Sequence, residues 1–360
     1  MLFKSALTAA LAGSVLAIEG HQHHEHQGKR DVKVVTQVNV VEVTVAGNQV
    51  VPNSVTQPAL STLSTVTTSA ATTVDAANTD AASTAAAAAS TASSTAATTG
   101  STSVGSGGAK GITYSPYSDD GGCKSSSDIA SEIAKLSGFN IIRLYGVDCD
   151  QVSAVLASKT SSQKIFAGIY DMTAISDGVS TLAAAVKSSG SWDDIYTVSI
   201  GNELVNNGEA TTSQIQSYVE SGRSALTAAG YSGPVVSVDT FIATINNPAL
   251  CDYSDYVAVN AHAFFDGGIA AAGAGAWVLE QIELVSTACG GKDVLIVESG
   301  WPSSCTSNGK ASCSSELQAA AISSIKSSCG NDVFLFNAYN DLWKADGSYN
   351  CEKYWGIFSS

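Results

Sequence analysis

Apolar runs of strand length recur through the second part of the chain, and a helix-length segment separates each run from the next. Segments such as 127–136 and 213–228 carry apolar residues near helical spacing. Eight strand candidates with seven intervening helices favour a (β/α)8 TIM barrel over a doubly wound sheet. The strand candidates are 112–115, 141–145, 165–170, 197–200, 235–238, 256–260, 295–298 and 333–337.

Aromatic residues confine this barrel to residues 111–360. No Phe, Trp or Tyr lies between Phe3 and Tyr114, and all five tryptophans follow position 190. Only the second part of the chain can therefore build a large core. Its length matches that of one (β/α)8 barrel, about 250 residues.

The first thirty residues predict a secreted protein. In residues 1–17, Lys4 precedes an apolar run that ends in small residues, as in a signal peptide. Residues 18–30 hold four histidines and end in a Lys-Arg pair. We interpret them as a propeptide removed by a processing protease. Metal binding by the histidines is the less favoured alternative.

Two further segments precede the barrel. Residues 31–51 are rich in valine with partial alternation, which predicts strands whose pairing partner the sequence does not choose. Residues 52–110 are dominated by Ser, Thr, Ala and finally Gly. They cannot bury enough apolar area to offset ordering, so we expect a disordered linker that is suited to O-glycosylation.

Charge and cysteine usage exclude several classes of function. A net charge of −15 argues against nucleic acid and anionic membranes as partners, and no apolar run is long enough to span a bilayer. All eight cysteines follow residue 120, and an even number in a secreted domain favours disulfides. Without a Cys-x-x-Cys pair, and with His262 alone left after propeptide removal, no metal site is expected.

Two glutamates stand where strand candidates give way to glycine-containing loops. Glu203 follows Val198-Ser-Ile-Gly-Asn, and Glu298 ends Val294-Leu-Ile-Val before Ser-Gly-Trp-Pro. The carboxyl ends of barrel strands form the catalytic face, and two carboxylates can act there as acid and nucleophile on a glycosidic bond. The alternative is structural pairing of these carboxylates with Arg143. Nucleotide-binding glycine loops and a Gly-x-Ser-x-Gly elbow are absent from the sequence.

Six motifs in order resemble glycoside hydrolase family 17, and most closely its fungal cell-wall members. They begin at 111, 142, 200, 259, 297 and 339, as Gly-Ile-Thr-Tyr-Ser-Pro-Tyr, Ile-Arg-Leu-Tyr-Gly, Ile-Gly-Asn-Glu, Val-Asn-Ala-His-Ala-Phe-Phe, Val-Glu-Ser-Gly-Trp-Pro and Tyr-Asn-Asp-Leu-Trp-Lys. The resemblance implies a retaining, β-1,3-glucan-active barrel that needs no cofactor. Glu203 would be the acid/base on strand four and Glu298 the nucleophile on strand seven.

The resemblance also implies roles for neighbouring residues. Asn202 would contact the sugar 2-hydroxyl, and Arg143, Tyr145 and His262 would lie near the cleaved bond, with a buried ion pair or a core histidine as the alternative. Candidate stacking platforms, of which about half should instead be core, are Tyr114, Phe264, Phe265, Trp301 and Trp343. Where many members carry a strand-eight glutamate, this chain has Asn337 and Asn340, with Asp341 and Lys344 remaining in the substrate-binding set.

If the barrel holds, Cys123 with Cys149 and Cys305 with Cys313 would be disulfides of the catalytic-face loops. Whether water or a glucan hydroxyl resolves the covalent intermediate stays open, so the enzyme would be an endo-β-1,3-glucanase, a glucanosyltransferase or both. It would act in the cell wall, with the N-terminal region available for association with wall polymers. The alternative from another class is a wall mannoprotein or adhesin whose barrel binds glucan with little or no turnover.

Overall fold

The computed structural model describes the backbone of residues 43–46 and 49–52, and residues 107–359 in full. The predicted signal peptide, the propeptide and most of the predicted linker lie outside these residues. Within the valine-rich segment, β1 (Val43–Ala46) and β2 (Gln49–Pro52) pair antiparallel in a two-stranded hairpin. The barrel belongs to a separate compact unit.

The predicted (β/α)8 barrel is confirmed. Its parallel strands follow the order β7-β6-β5-β4-β3-β11-β10-β9-β8, and β7 and β8 are the two halves of the fifth predicted strand. These two halves are separated at Ser237, whose N–H donates to the Ser254 hydroxyl at 2.8 Å, and the nearly closed sheet still has eight strand positions. The strands are β3 (Gly111–Thr113), β4 (Ile141–Arg143), β5 (Lys164–Ile169), β6 (Ile195–Ile200), β7 (Val235–Val236), β8 (Val238–Thr240), β9 (Val257–Asn260), β10 (Val294–Ser299) and β11 (Val333–Leu335).

One helix fills each connection between barrel strands. Side-chain N-caps fix several starts: Ser125 accepts from the Asp128 N–H, and Thr211 forms a capping box with Gln214. Among residues 107–359, no helix has the length and apolar content needed to span a bilayer. The helices are α1 (Ser126–Ala134), α2 (Gln151–Ser158), α3 (Ile175–Ser189), α4 (Thr212–Ala228), α5 (Phe241–Asn246), α6 (Ala274–Ala288) and α7 (Ser315–Cys329).

The core has two layers because side chains of a barrel strand point alternately inward and outward. Outward residues pack under the helices, while a smaller inner cluster fills the barrel. In the inner cluster, Phe166 and Phe334 meet edge to face at 5.8 Å between centroids. This apolar floor lies beneath the buried polar ends of the strands, which include Thr113, Arg143 and Asn260.

Both disulfides predicted from the barrel fold are present. Cys123–Cys149 joins the loops after β3 and β4, and Cys305–Cys313 closes the loop after β10. A third, Cys251–Cys289, was not predicted. Although the number of cysteines is even, not all of them form disulfides. Two buried cysteines remain thiols and direct their Sγ atoms at separate backbone carbonyls: Cys329 at Gly275 and Cys351 at Ser348.

Candidate active site

The two predicted glutamates belong to one hydrogen-bond network at the carboxyl end of the barrel. Asn260 Nδ2 donates to Glu203 Oε1 at 2.7 Å, and Asn260 Oδ1 accepts from Arg143 Nη1 at 3.2 Å. The same Nη1 donates to Glu298 Oε1 at 2.8 Å. Both glutamates are 4% exposed. The ends of β4, β9 and β10 and the loop after β6 therefore converge on one site.

The surroundings of Glu298 stabilise its ionised form. Tyr145 Oη donates to Oε1 at 2.9 Å, beside Arg143, and His262 Nε2 lies 3.3 Å from Oε2. Burial alone would raise the pKa of this carboxyl. The Arg143 charge, His262 and the Tyr145 hydroxyl outweigh burial and lower the pKa to about 2. Glu298 is thus an anion at neutral pH.

Arg143 is the buried cation at the centre of this network. It ends β4, is 1% exposed and also donates from Nη1 to the Val297 carbonyl at 2.9 Å. Its guanidinium carbon lies 4.6 Å from the centroid of Tyr145. Nη2 donates to Asn202 Oδ1 at 2.8 Å. Arg143 therefore fixes the nucleophile candidate and the residue that precedes the acid candidate at the same time.

Glu203 occupies an unusual backbone position. Its φ is 57° and that of Gly201 is 77°, both in the left-handed region that a residue with a side chain rarely adopts. The N–H of Glu203 donates to the Val238 carbonyl at 2.9 Å, and its own carbonyl accepts from the Asn207 N–H at 2.9 Å. The loop is therefore tied to β8, and the turn places the Glu203 carboxylate against Asn260.

Asn260 was missed by sequence reasoning. Besides Glu203, its Nδ2 contacts Asn202 Oδ1 at 3.2 Å, so it joins both members of the Asn-Glu pair to Arg143. The signal was available, since Asn260 is the polar last residue of an otherwise apolar strand inside the Val-Asn-Ala-His motif. A polar residue at that position in a barrel is a candidate for the catalytic face.

A second polar cluster borders the site after β11. Lys344 Nζ lies 3.0 Å from Asp341 Oδ2, which also accepts from Asn337 Nδ2 at 2.7 Å. Trp343 Nε1 donates to Asp341 Oδ1 at 3.1 Å. Burial opposes the charge on Lys344, but Asp341, Glu352 and Glu298 raise its pKa above the ordinary value. Lys344 is thus a cation within electrostatic reach of Glu298.

A cavity of about 390 Å³ adjoins the network, within the size range of ligand sites. Trp343 meets Tyr117 edge to face at 4.9 Å, and Tyr117 Oη donates to Asp148 Oδ2 at 2.8 Å. Among residues 107–359, Gln151 Oε1 is buried and has no hydrogen-bond partner. The walls also include Tyr145, Tyr170, Asn202, Asp341 and Lys344. Tyr117, Asp148, Gln151 and Tyr170 were not among the predicted site residues.

Three predicted stacking platforms are core residues instead. Tyr114, Phe264 and Trp301 are 0% exposed, so no ring face is open to a sugar. Tyr114 follows the inward Thr113 and points outward, where its hydroxyl donates to Glu132 at 2.6 Å. Trp301 donates to the Ser312 carbonyl at 3.0 Å and packs on Phe264 at 5.5 Å.

The remaining two aromatics are half-buried. Trp343 lines the cavity. Phe265 lies 6.3 Å from the His262 ring and 5.8 Å from Trp355, between centroids. Trp343 and Phe265 therefore lie near the network, while Tyr114, Phe264 and Trp301 are buried in the core.

A (β/α)8 barrel with two buried glutamates at the carboxyl ends of its fourth and seventh strands defines the class of barrel glycosidases. The model of the BtgE/BtgC glycoside hydrolase domain matches residues 111–356. The chain belongs to this glycoside hydrolase family, which confirms the resemblance found in the six motifs.

Relatives from fungi support the assignment. The chain is similar to the cell surface mannoprotein MP65 of Candida albicans, with 74% identity over 71% of this chain and 68% of that protein. It is 66% identical to the probable family 17 glucosidase SCW10 of Saccharomyces cerevisiae, over 70% of this chain and 65% of that protein. The chain thus spans about two thirds of the length of these relatives.

Solved structures agree on the fold. The crystal structure of a family 17 β-1,3-glucanosyltransferase from Rhizomucor miehei matches with a TM-score of 0.59 and 19% identity, over 70% of this chain and 94% of that chain. An active-site mutant of the Rhizomucor enzyme in complex with laminaritriose matches with a TM-score of 0.60 and 17% identity, over 70% and 94% of the two chains. At this identity the likeness establishes the barrel alone.

Proposed function

We propose that this protein is a retaining, β-1,3-glucan-active glycoside hydrolase that remodels the fungal cell wall through a covalent glycosyl-enzyme. One observation carries the proposal. Arg143, Tyr145 and His262 hold Glu298 as an anion, and the same network binds Glu203 through the neutral amide of Asn260. A retaining glycosidase needs a nucleophilic carboxylate paired with an acid/base carboxyl.

In the first step, an Oε atom of Glu298 attacks the anomeric carbon. A carbon–oxygen bond forms there as the glycosidic bond breaks, and Glu203 transfers its proton to the departing oxygen. Arg143 and Tyr145 both bind Oε1, whereas His262 faces Oε2. We assign the attack to Oε2, because Oε1 then keeps its two hydrogen bonds in the ester.

In the second step, Glu203 acts as a base. It takes a proton from a hydroxyl group, whose oxygen attacks the anomeric carbon and releases Glu298 as a carboxylate. Water as the acceptor gives an endo-β-1,3-glucanase. A glucan hydroxyl as the acceptor gives a glucanosyltransferase. Both outcomes use the same pair of glutamates.

The cavity supports a neutral sugar chain as the substrate. Trp343 and Tyr117 offer aromatic surface for the apolar face of a sugar ring, and the buried Gln151 Oε1 can accept from a hydroxyl. Asn202 Oδ1 is already bonded to Arg143, so the Asn202 amide nitrogen is the donor for the sugar 2-hydroxyl. The relatives named family 17 glucosidase and β-1,3-glucanosyltransferase favour β-1,3-glucan.

We place the protein outside the cell, in the wall. The predicted signal peptide and Ser/Thr-rich segment agree with the relative named cell surface mannoprotein. In this proposal β-1,3-glucan is the partner, and the N-terminal region contributes to association with wall polymers.

The test is product analysis on a reduced β-1,3-gluco-oligosaccharide by mass spectrometry. Shorter products alone indicate hydrolysis, and products longer than the substrate indicate transfer. Glu203→Gln and Glu298→Gln should both lower product formation by about 10²-fold or more, while Glu280→Gln, on the exposed face of α6, should not. If the native protein binds the oligosaccharide without turnover, the adhesin alternative replaces this proposal.

A further inference from the structure

A buried carboxylate on β8 holds the turn that carries Glu203. Asp239 is 5% exposed, and its Oδ2 accepts from the Val205 N–H at 2.9 Å. Its Oδ1 accepts from the Asn206 N–H at 3.1 Å and from the Thr240 N–H at 2.9 Å. Both carboxylate oxygens are therefore engaged with backbone N–H groups, two of which lie just after the acid.

These contacts fix a backbone conformation that Glu203 would not hold unaided. A non-glycine residue in the left-handed region is disfavoured by about 1–3 kcal/mol and persists only where its surroundings determine it. Three consecutive residues of β8 supply those surroundings. The Val238 carbonyl accepts from the Glu203 N–H, Asp239 binds the two N–H groups, and the Thr240 hydroxyl donates to Asn206 Oδ1 at 3.0 Å.

The carboxylate is retained at an energetic cost. Burial raises the pKa of Asp239 to about 6 against the opposing effect of the Val205, Thr240 and Asn206 N–H groups. An apolar residue would avoid that cost but would leave three backbone donors unsatisfied. A role that requires the turn to be held in place accounts for a buried charge at this position.

We propose that Asp239 is a positioning residue for the acid/base: its carboxylate clamps the turn after Glu203 and so aims the Glu203 carboxyl at the glycosidic oxygen. The inference rests on the proposed function, in which Glu203 protonates the leaving group. Asp239 is not among the residues that line the cavity. Its contribution is made through the backbone of Val205 and Asn206.

A positioning role and a purely structural role differ in their dependence on the leaving group. A dinitrophenolate departs without protonation, whereas a sugar alkoxide requires the acid. Misplacing Glu203 should therefore slow cleavage of a gluco-oligosaccharide but spare formation of the glycosyl-enzyme from a 2,4-dinitrophenyl β-laminaribioside. The second step still needs Glu203 as a base, so the glycosyl-enzyme should accumulate with that donor.

The experiment compares both donors in the full-length native protein, Asp239→Asn and Asp255→Asn. Asp239→Asn keeps the side-chain volume but turns an NH₂ group toward a backbone N–H. Asp255 is the control, since it is a surface carboxylate that also accepts from a backbone N–H, that of Val235 at 2.7 Å at the start of β7. Thermal unfolding of each variant reports any loss of fold.

We expect Asp239→Asn to lose about 10- to 100-fold in kcat/KM on the oligosaccharide, the effect of a misplaced catalytic group. The first step with the dinitrophenyl donor should change less than about 3-fold, and intact-mass spectra should show the accumulated glycosyl-enzyme. Asp255→Asn should show neither effect. In Asp239→Ala, added formate should restore part of the oligosaccharide activity.

Equal losses on both donors, without accumulation and without formate rescue, would overturn the positioning role and leave the proposed function intact. A native protein that turns over neither donor would overturn both. If Asp239→Asn does not fold, formate rescue of folded Asp239→Ala decides, and absence of rescue counts against the inference.

Discussion

The two glutamates occupy equivalent ends of barrel strands but are held in different ways. Glu298 lies within strand β10, where the pairing with β9 shifts register, and it contacts a buried arginine, a tyrosine hydroxyl and a histidine. Glu203 lies in a left-handed turn, bonded to a neutral amide and clamped from β8. The cationic surroundings suit an anionic nucleophile, and the neutral amide suits a group that exchanges a proton.

The largest expected effect comes from removing the nucleophile. Glu298→Ala should lower turnover by about 10⁴-fold or more, because no covalent intermediate can form. Added azide can enter the space and attack the anomeric carbon of an activated β-glycoside directly. The product should be the α-glycosyl azide, identified by NMR. A β-azide would show that Glu298 is not the nucleophile.

Removing the acid/base should cost less and respond differently. Glu203→Gln should lose about 10²- to 10⁴-fold on an oligosaccharide, the usual contribution of general acid catalysis. In Glu203→Ala with an activated donor, azide would intercept the glycosyl-enzyme and give the β-glycosyl azide. Opposite anomers from the two alanine variants would support different catalytic roles for the two glutamates. The same anomer from both would contradict them.

Arg143 should matter for stability as well as for activity. Arg143→Met leaves the buried Glu298 without its cation, which should raise the pKa of Glu298 and cost about 3–5 kcal/mol in the free energy of unfolding. Arg223→Met is the control, because Arg223 pairs with Asp255 at the surface, with side chains 40% and 42% exposed. That pair should contribute less than about 1 kcal/mol. Urea unfolding would measure both, and similar losses would contradict the assignment.

Stability should depend on pH in opposite senses at the two buried carboxyls. The pKa of Glu298 falls from 4.5 to about 2 on folding. Its contribution to the free energy of unfolding is therefore fully present above pH 4.5 and is lost as the pH falls through 2. The pKa of Asp239 rises from 3.8 to about 6, so its contribution is present below pH 3.8 and is lost as pH rises through 6. Each difference corresponds to about 3 kcal/mol.

Urea unfolding between pH 2 and 7 would test both signs. Glu298→Gln should flatten the acid loss of stability, and Asp239→Asn should flatten the decline between about pH 4 and 6. Unchanged pH profiles in these variants would contradict the environments assigned to the two side chains.

The smallest effect is expected for Tyr145→Phe. This change removes one hydrogen bond to the anionic Oε1 of Glu298, worth about 1.5–3 kcal/mol, and should lower kcat by roughly 10-fold or more. Tyr117→Phe removes a hydroxyl that bonds to Asp148 in the cavity wall, so it should change KM rather than kcat. Steady-state kinetics on one oligosaccharide would separate the two, and a kcat effect at Tyr117 alone would contradict the assignment.

Strand periodicity was enough to predict the barrel, because alternation and strand length are local properties of the chain. All eight predicted strands are present, and helices lie where 127–136 and 213–228 predicted them. The interruption of the fifth strand at Ser237 was not predictable, because it depends on the distant Ser254 hydroxyl. The pairing of Cys251 with Cys289, and the thiols at Cys329 and Cys351, likewise depend on packing between remote elements.

Within the site, the chemically active residues were easier to predict than the directions in which side chains point. The sequence identified Glu203 and Glu298 as carboxylates at strand ends, the resemblance added Arg143, and the structure brings the three residues into one network. It did not show that Tyr114 and Trp301 point away from the barrel mouth. Aromatic residues serve equally as sugar platforms and as core. Asp239 was overlooked because its partners are backbone N–H groups, which leave no trace in side-chain motifs.

Trapping the covalent intermediate tests the division of roles most directly. The full-length protein would be treated with a 2-deoxy-2-fluoro laminaribiosyl donor that carries a dinitrophenyl leaving group, and the labelled peptide would be sequenced by mass spectrometry. We expect one adduct, on Glu298, which an added gluco-oligosaccharide acceptor slowly discharges. An adduct on Glu203, or no adduct together with an inverted product, would contradict the assignment of Glu298 as nucleophile and Glu203 as acid/base.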